Sequence, residues 1–340
     1  MMGQTAFSLT VNTTAGGLTT AVGTELNTVT NLTVTGTINA QDFFILSEQM
    51  PLLAVLDISG ANIVSYFSYP ENYIPGNSFY NSTTRVAKTS LKTIILPIGL
   101  TRIGTSAFQN CSGITGTLTI PIGVTIIEGG AFSGCSSITN FALPNGLTTI
   151  GNSAFSGCSG ITTLTLPTGI TQIGSSTFYG CSGITTLTLP AGLTHILGQA
   201  FSNCSGIKTI YSLNSTPPIY AGGFCGLTAT SVTDVFVPTD AAVAAYKASW
   251  AWYGDFPGDI IKVGAPSSVP ILTNSNIKVY TNQSSIIVEG TSVGETVSIY
   301  TFNGIKLKTI HSQGNRLEIP IARNTVYLVK TPGETVKVIL

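Results

Sequence analysis

Charged residues are scarce in this 340-residue chain, and their scarcity excludes several functions. Asp, Glu, Lys and Arg make up 8% of the sequence and balance to a formal net charge of zero, whereas an average soluble protein has about a quarter. Between Gly99 and Ser205 the charged side chains are Arg102 and Glu128 alone. Because no basic stripe is present to neutralise phosphates, we expect no nucleic-acid partner.

Long apolar runs and catalytic residue types are also sparse. No segment approaches the roughly 18 to 20 apolar residues that span a bilayer, so we expect no membrane span. The N-terminus lacks the basic and apolar regions of a signal peptide, so any secretion signal was removed or never existed. The two histidines, His195 and His311, fall in different predicted domains, and no Cys-x-x-Cys pair suits zinc. We therefore predict no enzyme activity, no metal and no cofactor.

One short motif matches a catalytic pattern. Gly290-Thr-Ser292-Val-Gly294 has the spacing of a nucleophile elbow. That motif requires a strand-to-helix turn, whereas here it joins two predicted strands. A secreted hydrolase is therefore a remote alternative.

An internal repeat dominates the sequence. Its clearest copy reads Cys158-Ser-Gly-Ile-Thr-Thr-Leu-Thr-Leu-Pro167, and the aligned cysteines lie 24, 23, 23 and 23 residues apart. A phenylalanine keeps the same spacing. The rungs are Cys111, Cys135, Cys158, Cys181 and Cys204, with Phe108, Phe132, Phe155, Phe178, Phe201 and Phe224. Two ladders in one register indicate stacked copies of one structural unit, because a single copy cannot bury its apolar side chains alone.

Each repeat contains one predicted strand. Leucines alternate with threonines between Ile161 and Leu166, which is typical of a half-buried strand, and Pro167 ends it because proline cannot donate to a ladder. The 38-residue step from Leu56 to Ile94 predicts an insertion over about residues 62–76. The predicted central strand positions are Leu32, Leu56, Ile94, Leu118, Phe141, Leu164, Leu187, Ile210 and Val235, with Leu9 on a capping strand.

The C-terminal end of the stack needs a cap, since an open end exposes the core and a strand edge. Asp240 precedes the helix-forming run Ala241–Lys247. We expect this helix to cover the last coil together with four aromatic residues, namely Trp250, Trp252, Tyr253 and Phe256.

These repeats resemble the BspA-like leucine-rich repeat family over roughly residues 5–262, although Leu227 stands where a sixth aligned cysteine is expected. The resemblance implies a mainly β fold, a right-handed solenoid of about 9–10 coils of about 23 residues. Members are mostly bacterial surface or secreted proteins, and several are adhesins. The resemblance thus implies a non-catalytic extracellular or cell-surface protein that binds a host or matrix protein, or a glycan.

The repeat ends at a Pro- and Ser-containing segment, residues 264–270, which predicts a linker between a domain at 1–263 and one at 271–340. Short alternating runs then predict a small antiparallel β-sandwich, immunoglobulin-like or sorting-domain-like. Val297–Gly304 and Val326–Lys330 resemble the sorting domain of type IX secretion, but the end Val338-Ile-Leu340 lacks the basic residue often found there. A related structural module is the alternative.

Two surfaces are candidate binding sites. The first is the outward strand face, and the second is the aromatic insertion with the neighbouring rim of the sheet. The residues are Thr93, Thr117, Thr119, Thr163, Thr165, Thr186, Thr188 and Tyr211 for the strand face, and Tyr66, Phe67, Tyr69, Tyr73 and Asp57 for the insertion. Alternatively, the threonines form only a solvated sheet chosen for β-propensity, and the insertion pins itself with its own aromatic rings.

The leading functional prediction is a monomeric adhesin-like binding protein. A structural or scaffolding surface protein without a specific ligand is the alternative. Ice binding is a remote one, because Thr-x-Thr pairs recur at 117/119, 163/165 and 186/188 while Asn140 and Ala142 interrupt them.

Overall fold

Strands dominate the structure, a computed structural model that describes residues 6–81, 84, 86–221, 232–249, 260–264, 278–281, 285–289, 296–301, 306–314, 316–320, 326–330 and 335–339. The chain divides into two units, Met1–Val263 and Gly264–Leu340. Both are mainly β, as the sequence predicts.

The elements of the first unit alternate short strands with turns. In chain order its strands are β1 (Ser8–Thr13), β2 (Asn31–Ile38), β3 (Val55–Ile63), β4 (Tyr73–Ile74), β5 (Tyr80–Asn81), β6 (Val86–Ala87), β7 (Thr93–Ile95), β8 (Arg102–Ile103), β9 (Gly116–Thr119), β10 (Ile126–Ile127), β11 (Ile138–Ala142), β12 (Thr149–Ile150), β13 (Thr163–Thr165), β14 (Gln172–Ile173), β15 (Thr186–Leu189), β16 (His195–Leu197), β17 (Thr209–Ser212), β18 (Ile219–Ala221), β19 (Asp234–Val237) and β20 (Ile261–Val263). Its helices are α1 (Leu18–Val22), α2 (Ala40–Glu48) and α3 (Asp240–Ala248), with a 3-10 helix at Gly23–Asn27.

Parallel pairing stacks the repeats. Leu164 on β13 lies opposite Leu187 on β15, which lies opposite Ile210 on β17, and each partner is 23 residues further along the chain. The pieces β1-β2-β3-β7, β9-β11 and β13-β15-β17-β19-β20 form what we call the first sheet. The predicted central positions are buried and in register within each piece. Strand β20, which pairs with β19, is an addition that the repeat pattern does not predict.

A second set of strands follows the turn of each coil. The pieces β4-β8-β10-β12 and β14-β16-β18 form what we call the second sheet. The phenylalanine ladder lies in the buried core of the stacked coils. Neighbouring rings from Phe108 to Phe201 stack with centroids 5.2–5.7 Å apart and planes within 10° of parallel. The predicted ladder is therefore confirmed from Phe108 to Phe201, while Phe224 lies outside the described residues.

The cysteine ladder lies beside these rings. Each thiol is buried and donates to the carbonyl oxygen of a phenylalanine in the preceding coil, as Cys158 Sγ does to Phe132 O at 3.1 Å. Burial raises the pKa of Cys111 and of Cys158 to about 12 and raises that of Cys135 well above its ordinary value. A hydrogen bond with Cys204, together with burial, raises the pKa of Cys181. The four thiols whose pKa is raised therefore stay protonated in the folded chain at neutral pH.

The predicted single insertion over residues 62–76 is wrong in its bounds. Tyr73 and Ile74 form β4, which pairs with Arg102 and Ile103, and Phe79 stacks on Phe108 at 4.9 Å as one more rung of the ladder. The extra residues form two segments instead. Nine lie before Ile74, in the connection from β3, and six lie after Phe79, around the hairpin β5–β6. This coil has no cysteine or strand-ending proline to reveal the division.

Lys88 occupies the slot that cysteine fills in the following coils. Its side chain is buried, and its ammonium donates to the carbonyl oxygens of Ser47, at 3.3 Å, and Met50, at the C-terminal end of α2. Burial lowers the pKa of Lys88 to about 8. The lysine thus caps a helix end where the ladder of thiols stops.

The helix α2 is itself absent from the sequence prediction. Asn39 caps it, accepting from Gln41 N at 2.9 Å, while Asp42 closes a capping box by accepting from Asn39 N at 2.9 Å. The buried Asp42 carboxylate also accepts from Gly16 N and Leu18 N, at 2.7 and 3.0 Å. One side chain therefore joins α2 to the turn that precedes α1.

The predicted helix after Pro238 is confirmed as α3. Thr239 caps it by accepting from Ala242 N at 3.1 Å. Tyr246 is fully buried, and its hydroxyl lies 2.6 Å from Ser212 Oγ on β17, so the helix packs on the last coils. The aromatic cap residues Trp250, Trp252, Tyr253 and Phe256, like Leu227, lie outside the described residues.

The described strands of the second unit form two antiparallel sheets. Its strands are β21 (Lys278–Thr281), β22 (Ser285–Glu289), β23 (Thr296–Thr301), β24 (Lys306–His311), β25 (Arg316–Pro320), β26 (Val326–Lys330) and β27 (Thr335–Ile339). They pair as β21-β22-β25 and β24-β23-β26-β27. Short antiparallel strands are therefore present here, as predicted, while the sandwich and the linker over 264–270 stay predictions.

Candidate functional site

The outward face of the first sheet carries the predicted rows of threonine, which we call the Thr face. Thr163 lies opposite Thr186, and Thr165 lies opposite Thr188, which in turn lies opposite Tyr211. The side chains are exposed or half-buried along the whole face: Thr93, Thr117, Thr119, Thr163, Thr165, Thr186, Thr188 and Tyr211. The threonines of this surface offer hydroxyl and methyl groups without charge.

The rows of threonine are regular on β13 and β15 and are interrupted on both sides of these two strands. Asn140 and Ala142 stand opposite Thr117 and Thr119. Further along, Tyr211 stacks on Phe236 with ring centroids 5.1 Å apart, next to the ion pair of Asp234 with Lys262 at 2.7 Å. An unbroken threonine lattice, which ice binding would need, is therefore not formed.

The aromatic loop, residues 64–72, projects from the connection between β3 and β4. Tyr66 and Tyr69 exchange two backbone hydrogen bonds of 2.9 Å, so Phe67 and Ser68 form a tight turn. Phe67 has a left-handed backbone, with φ 49°, and its side chain is 91% exposed. The Tyr66 ring meets it edge to face at 4.5 Å. A phenylalanine is thus displayed at the tip of a hairpin.

Tyr73 fixes the far end of this loop. It belongs to β4, stacks on Tyr69 with ring centroids 6.1 Å apart, and lies under the Arg102 guanidinium at 5.8 Å. Burial and the neighbouring Glu128 carboxylate raise the pKa of Tyr73. The loop therefore does pin itself with its own rings, as the alternative reading of the sequence proposed, while leaving Phe67 free.

The structure separates some residues that the sequence hypothesis grouped. Asp57 and Thr93 belong to the first sheet, whereas Tyr73 belongs to the second. The Asp57 carboxylate accepts from Ser59 N at 2.9 Å within its own strand. The rim contribution expected of Asp57 and Thr93 thus lies on the Thr face and not on the strand that anchors the loop.

Sequence reasoning missed two exposed isoleucines at the turns beside the loop. Ile98 and Ile122 are 79% and 53% exposed, and each follows the proline that ends a strand. The turns stack on the loop, since Thr101 N donates to Asn72 O at 2.9 Å. A Cβ built on Gly123 would lie 3.6 Å from Ile98 O, so the second turn stacks on the first. We call Tyr66, Phe67, Tyr69, Ile98 and Ile122 the turn-edge surface.

The side chain at this turn position is a large apolar one only in the first two of the stacked turns. The positions that follow Ile98 and Ile122 are occupied by Asn145, Thr168 and Ala191, all exposed. The apolar part is therefore confined to the first coils, next to the aromatic loop. A cleft of about 330 Å³ includes Tyr69 of the aromatic loop in its lining, together with Phe44, Pro75 and Tyr80 among others.

Potential metal ligands are not clustered in the part of the chain that the structure describes. No cluster of three or more His, Cys, Asp or Glu residues suited to a metal occurs there. His195 contacts Thr194 Oγ1 at 2.9 Å on the second sheet. The elbow-like residues 290–294 lie outside the described part, but β22 and β23 flank them, so two strands surround the motif. Among the helices that the structure describes, none combines the length and the hydrophobicity of a membrane-spanning segment.

Comparison with known proteins bears on the repeat itself. Residues 115–230 match the model of the BspA type leucine-rich repeat region in six copies. The repeats of this segment are thus similar to those of that family. The matched segment is about a third of the chain. No curated protein matches the chain.

Several solved structures are similar to it. The leucine-rich repeat protein of T. pallidum is 24% identical, with a TM-score of 0.45 over 55% of this chain and 79% of its own. A leucine-rich repeat protein from Bacteroides ovatus is 22% identical, with a TM-score of 0.47 over 67% of this chain and 63% of its own. A leucine-rich cell surface protein from Faecalibacterium prausnitzii is 18% identical, with a TM-score of 0.36 over 70% and 81%.

Proposed function

We propose that this chain is a non-catalytic, cell-surface or secreted binding protein that recognises another protein through its turn-edge surface. The observation that carries the proposal is Phe67, a large apolar side chain 91% exposed on a left-handed backbone. A left-handed conformation costs a non-glycine residue on the order of 1 kcal/mol or more. Nothing in the fold offsets this cost through burial of the ring, so a partner that buries it is the simplest explanation.

The neighbouring residues extend the apolar contact. Ile98 and Ile122 are exposed on turns that stack beside the loop. Burying one such side chain contributes roughly 1.5 to 3 kcal/mol, so an anchor ring with two isoleucines supplies enough free energy for a specific contact. Tyrosines on a self-pinned loop lose little conformational freedom on binding.

The partner that fits this surface is a protein with an apolar, uncharged epitope. Among the described residues, Arg102 and Glu128 form an ion pair near this surface, and their charges neutralise each other. Electrostatic steering should therefore be weak, and affinity should change little with salt. A glycan would instead favour the Thr face, whose hydroxyls and Tyr211 are in register along the strands.

The extracellular or surface location is part of the same proposal, supported by the BspA-type repeats. The monomeric state and the role of the second unit as a sorting-domain-like β-sandwich are likewise proposed. The pairing of its strands into two antiparallel sheets supports the sandwich.

The test is a binding screen of the full chain against extracellular matrix proteins and a glycan array. We expect a protein to bind, and the double variant Phe67→Ser with Ile98→Ser to lose at least about tenfold in affinity, since each truncated anchor costs 1 kcal/mol or more. Thr168→Ala is the matched control, because Thr168 occupies the same turn position in a later coil, and its affinity should be unchanged.

Three results would contradict the proposal. Equal affinity for the double variant would place the site elsewhere. Binding to glycans alone, lost when Tyr211 is replaced by alanine, would assign the Thr face as the site. Absence of any ligand across both screens would favour a scaffolding role.

A further inference from the structure

Arg102 and Glu128 are an isolated pair of opposite charges in a long uncharged stretch. A lone ion pair on a surface usually contributes little to stability, because solvent screens it. The structure places this pair at the base of the aromatic loop. We propose that Arg102 and Glu128 are positioning residues, an ionic clamp that holds the aromatic loop in its binding conformation.

Glu128 is the centre of the clamp. One of its carboxylate oxygens accepts from Arg102 Nε, and the other accepts from Thr105 N at 2.9 Å and from Thr105 Oγ1 at 2.7 Å. The side chain is 17% exposed, so solvent screens these hydrogen bonds less than those of a surface pair. Charge-assisted hydrogen bonds to a partly buried carboxylate hold β8 and the turn after it in one arrangement.

Arg102 transmits this arrangement to the loop. Its guanidinium lies over the ring of Tyr73, and Tyr73 stacks in turn on Tyr69 within the loop. The Tyr73 hydroxyl fits against Gly104, where an added Cβ would come within 2.6 Å of it, and burial together with the nearby Glu128 carboxylate raises the pKa of Tyr73. Arg102 and Glu128 therefore both act on Tyr73, which directly follows the loop.

The backbone of the loop end is tied to the same coil. Asn72 O accepts from Thr101 N at 2.9 Å and from Thr101 Oγ1 at 3.0 Å, directly before Arg102. Two further backbone hydrogen bonds of 2.9 Å, from Val64 N to Ile38 O and from Asn72 N to Ile63 O, fix the ends of the loop, while its tip, Phe67, is almost wholly exposed. Among the side chains, it is the contact of Tyr69 with Tyr73 that links the part of the loop near the tip to the clamp.

An ordered loop matters for binding because a preformed anchor does not have to be immobilised when the partner arrives. This consequence rests on the proposed function, whereas the clamp itself does not. The test is accordingly made without a ligand. Chymotrypsin cleaves after exposed aromatic residues once the backbone around them opens, so cleavage after Tyr66, Phe67 and Tyr69 reports the opening of the loop.

The experiment compares the native full chain with Glu128→Gln and Arg102→Met, mapping cleaved bonds by mass spectrometry and following global melting by circular dichroism. We expect cleavage within the loop to accelerate at least about tenfold in both variants, since a hydrogen bond to a charged group exceeds the free energy of one decade. The melting temperature should stay close to that of the native chain. Asp234→Asn and Lys262→Met, which break the other described ion pair, are the matched controls and should leave loop cleavage unchanged.

Tyr73→Phe keeps the ring and removes only the hydroxyl, so it tests the clamp even if Glu128→Gln fails to fold. It should raise loop cleavage by a smaller factor. The proposal is overturned if loop cleavage in Glu128→Gln and Tyr73→Phe matches the native chain, or if every site in the first unit becomes equally sensitive. If proteolysis confirms the clamp but a Phe67 variant still binds the partner with native affinity, the clamp stands and the proposed function fails.

Discussion

Alkaline pH is expected to unfold the first unit through its buried thiols. Cys158 has a pKa of about 12 in the folded chain against 9 ordinarily, so below pH 9 its contribution to stability is fully present. Above pH 9 the unfolded state ionises while the folded state does not, and stability falls until the folded thiol also ionises. At about pH 10 one such thiol lowers the free energy of unfolding by about 1.4 kcal/mol, and the four with raised pKa by roughly 6 kcal/mol.

Lys88 acts in the opposite direction. Burial lowers its pKa from 10.5 to about 8, so the unfolded state binds more protons and stability rises between these values by up to about 3 kcal/mol. The thiols outweigh this single lysine at about pH 10 and above. A domain is stable by only about 5 to 15 kcal/mol, so we expect unfolding a little above that pH.

The assay is urea unfolding at pH 8 and pH 10 with reductant, followed by circular dichroism. Cys158→Ser keeps a donor toward Phe132 O but does not titrate, so the stability lost between the two pH values should shrink by about 1.4 kcal/mol. Lys88→Met should enlarge that loss. An unchanged loss in Cys158→Ser would refute the assignment of alkaline sensitivity to the thiols.

Four further outcomes are expected. Phe155→Ala should cost about 3 to 5 kcal/mol in chemical unfolding, because its ring is buried between two stacked neighbours. Gly183→Ala should cost about 1 to 3 kcal/mol, because the new Cβ would lie 2.3 Å from Ser159 O. Thiol titration should find six free groups in denaturant and very few without it. Calorimetry should show two transitions, one for each unit, whereas a single transition would argue against independent folding.

The stacked core could be predicted because each coil must bury the same set of apolar side chains against its neighbours. Phe155 and Cys158 recur at one spacing in every clear copy, and burial in one coil implies burial in the next. Phe79 belongs to the same ladder but escaped prediction, since nine extra residues precede its coil's turn and six follow it. These extra residues change the spacing of Phe79 from the other rungs, so the sequence does not reveal its place in the ladder, whereas its stacking on Phe108 does.

The candidate site could be predicted only in part. Tyr66, Phe67 and Tyr69 were identified by composition, but the left-handed backbone that displays Phe67 leaves no mark in the sequence. Ile98 and Ile122 were missed because isoleucine in a repeat is normally core, and their exposure depends on the turn after a proline. The contact of Arg102 with Tyr73 joins residues from two coils, so spacing along one coil does not reveal it.

The central claim is that the exposed aromatic tip of the loop, Phe67, binds a protein. The most direct measurement takes a protein that binds in the screen and compares its dissociation constant for the native chain with that for Phe67→Ala. The account predicts at least about a tenfold weaker affinity for the variant, with an unchanged melting temperature, because a buried aromatic anchor contributes well over 1 kcal/mol. Equal dissociation constants would contradict it.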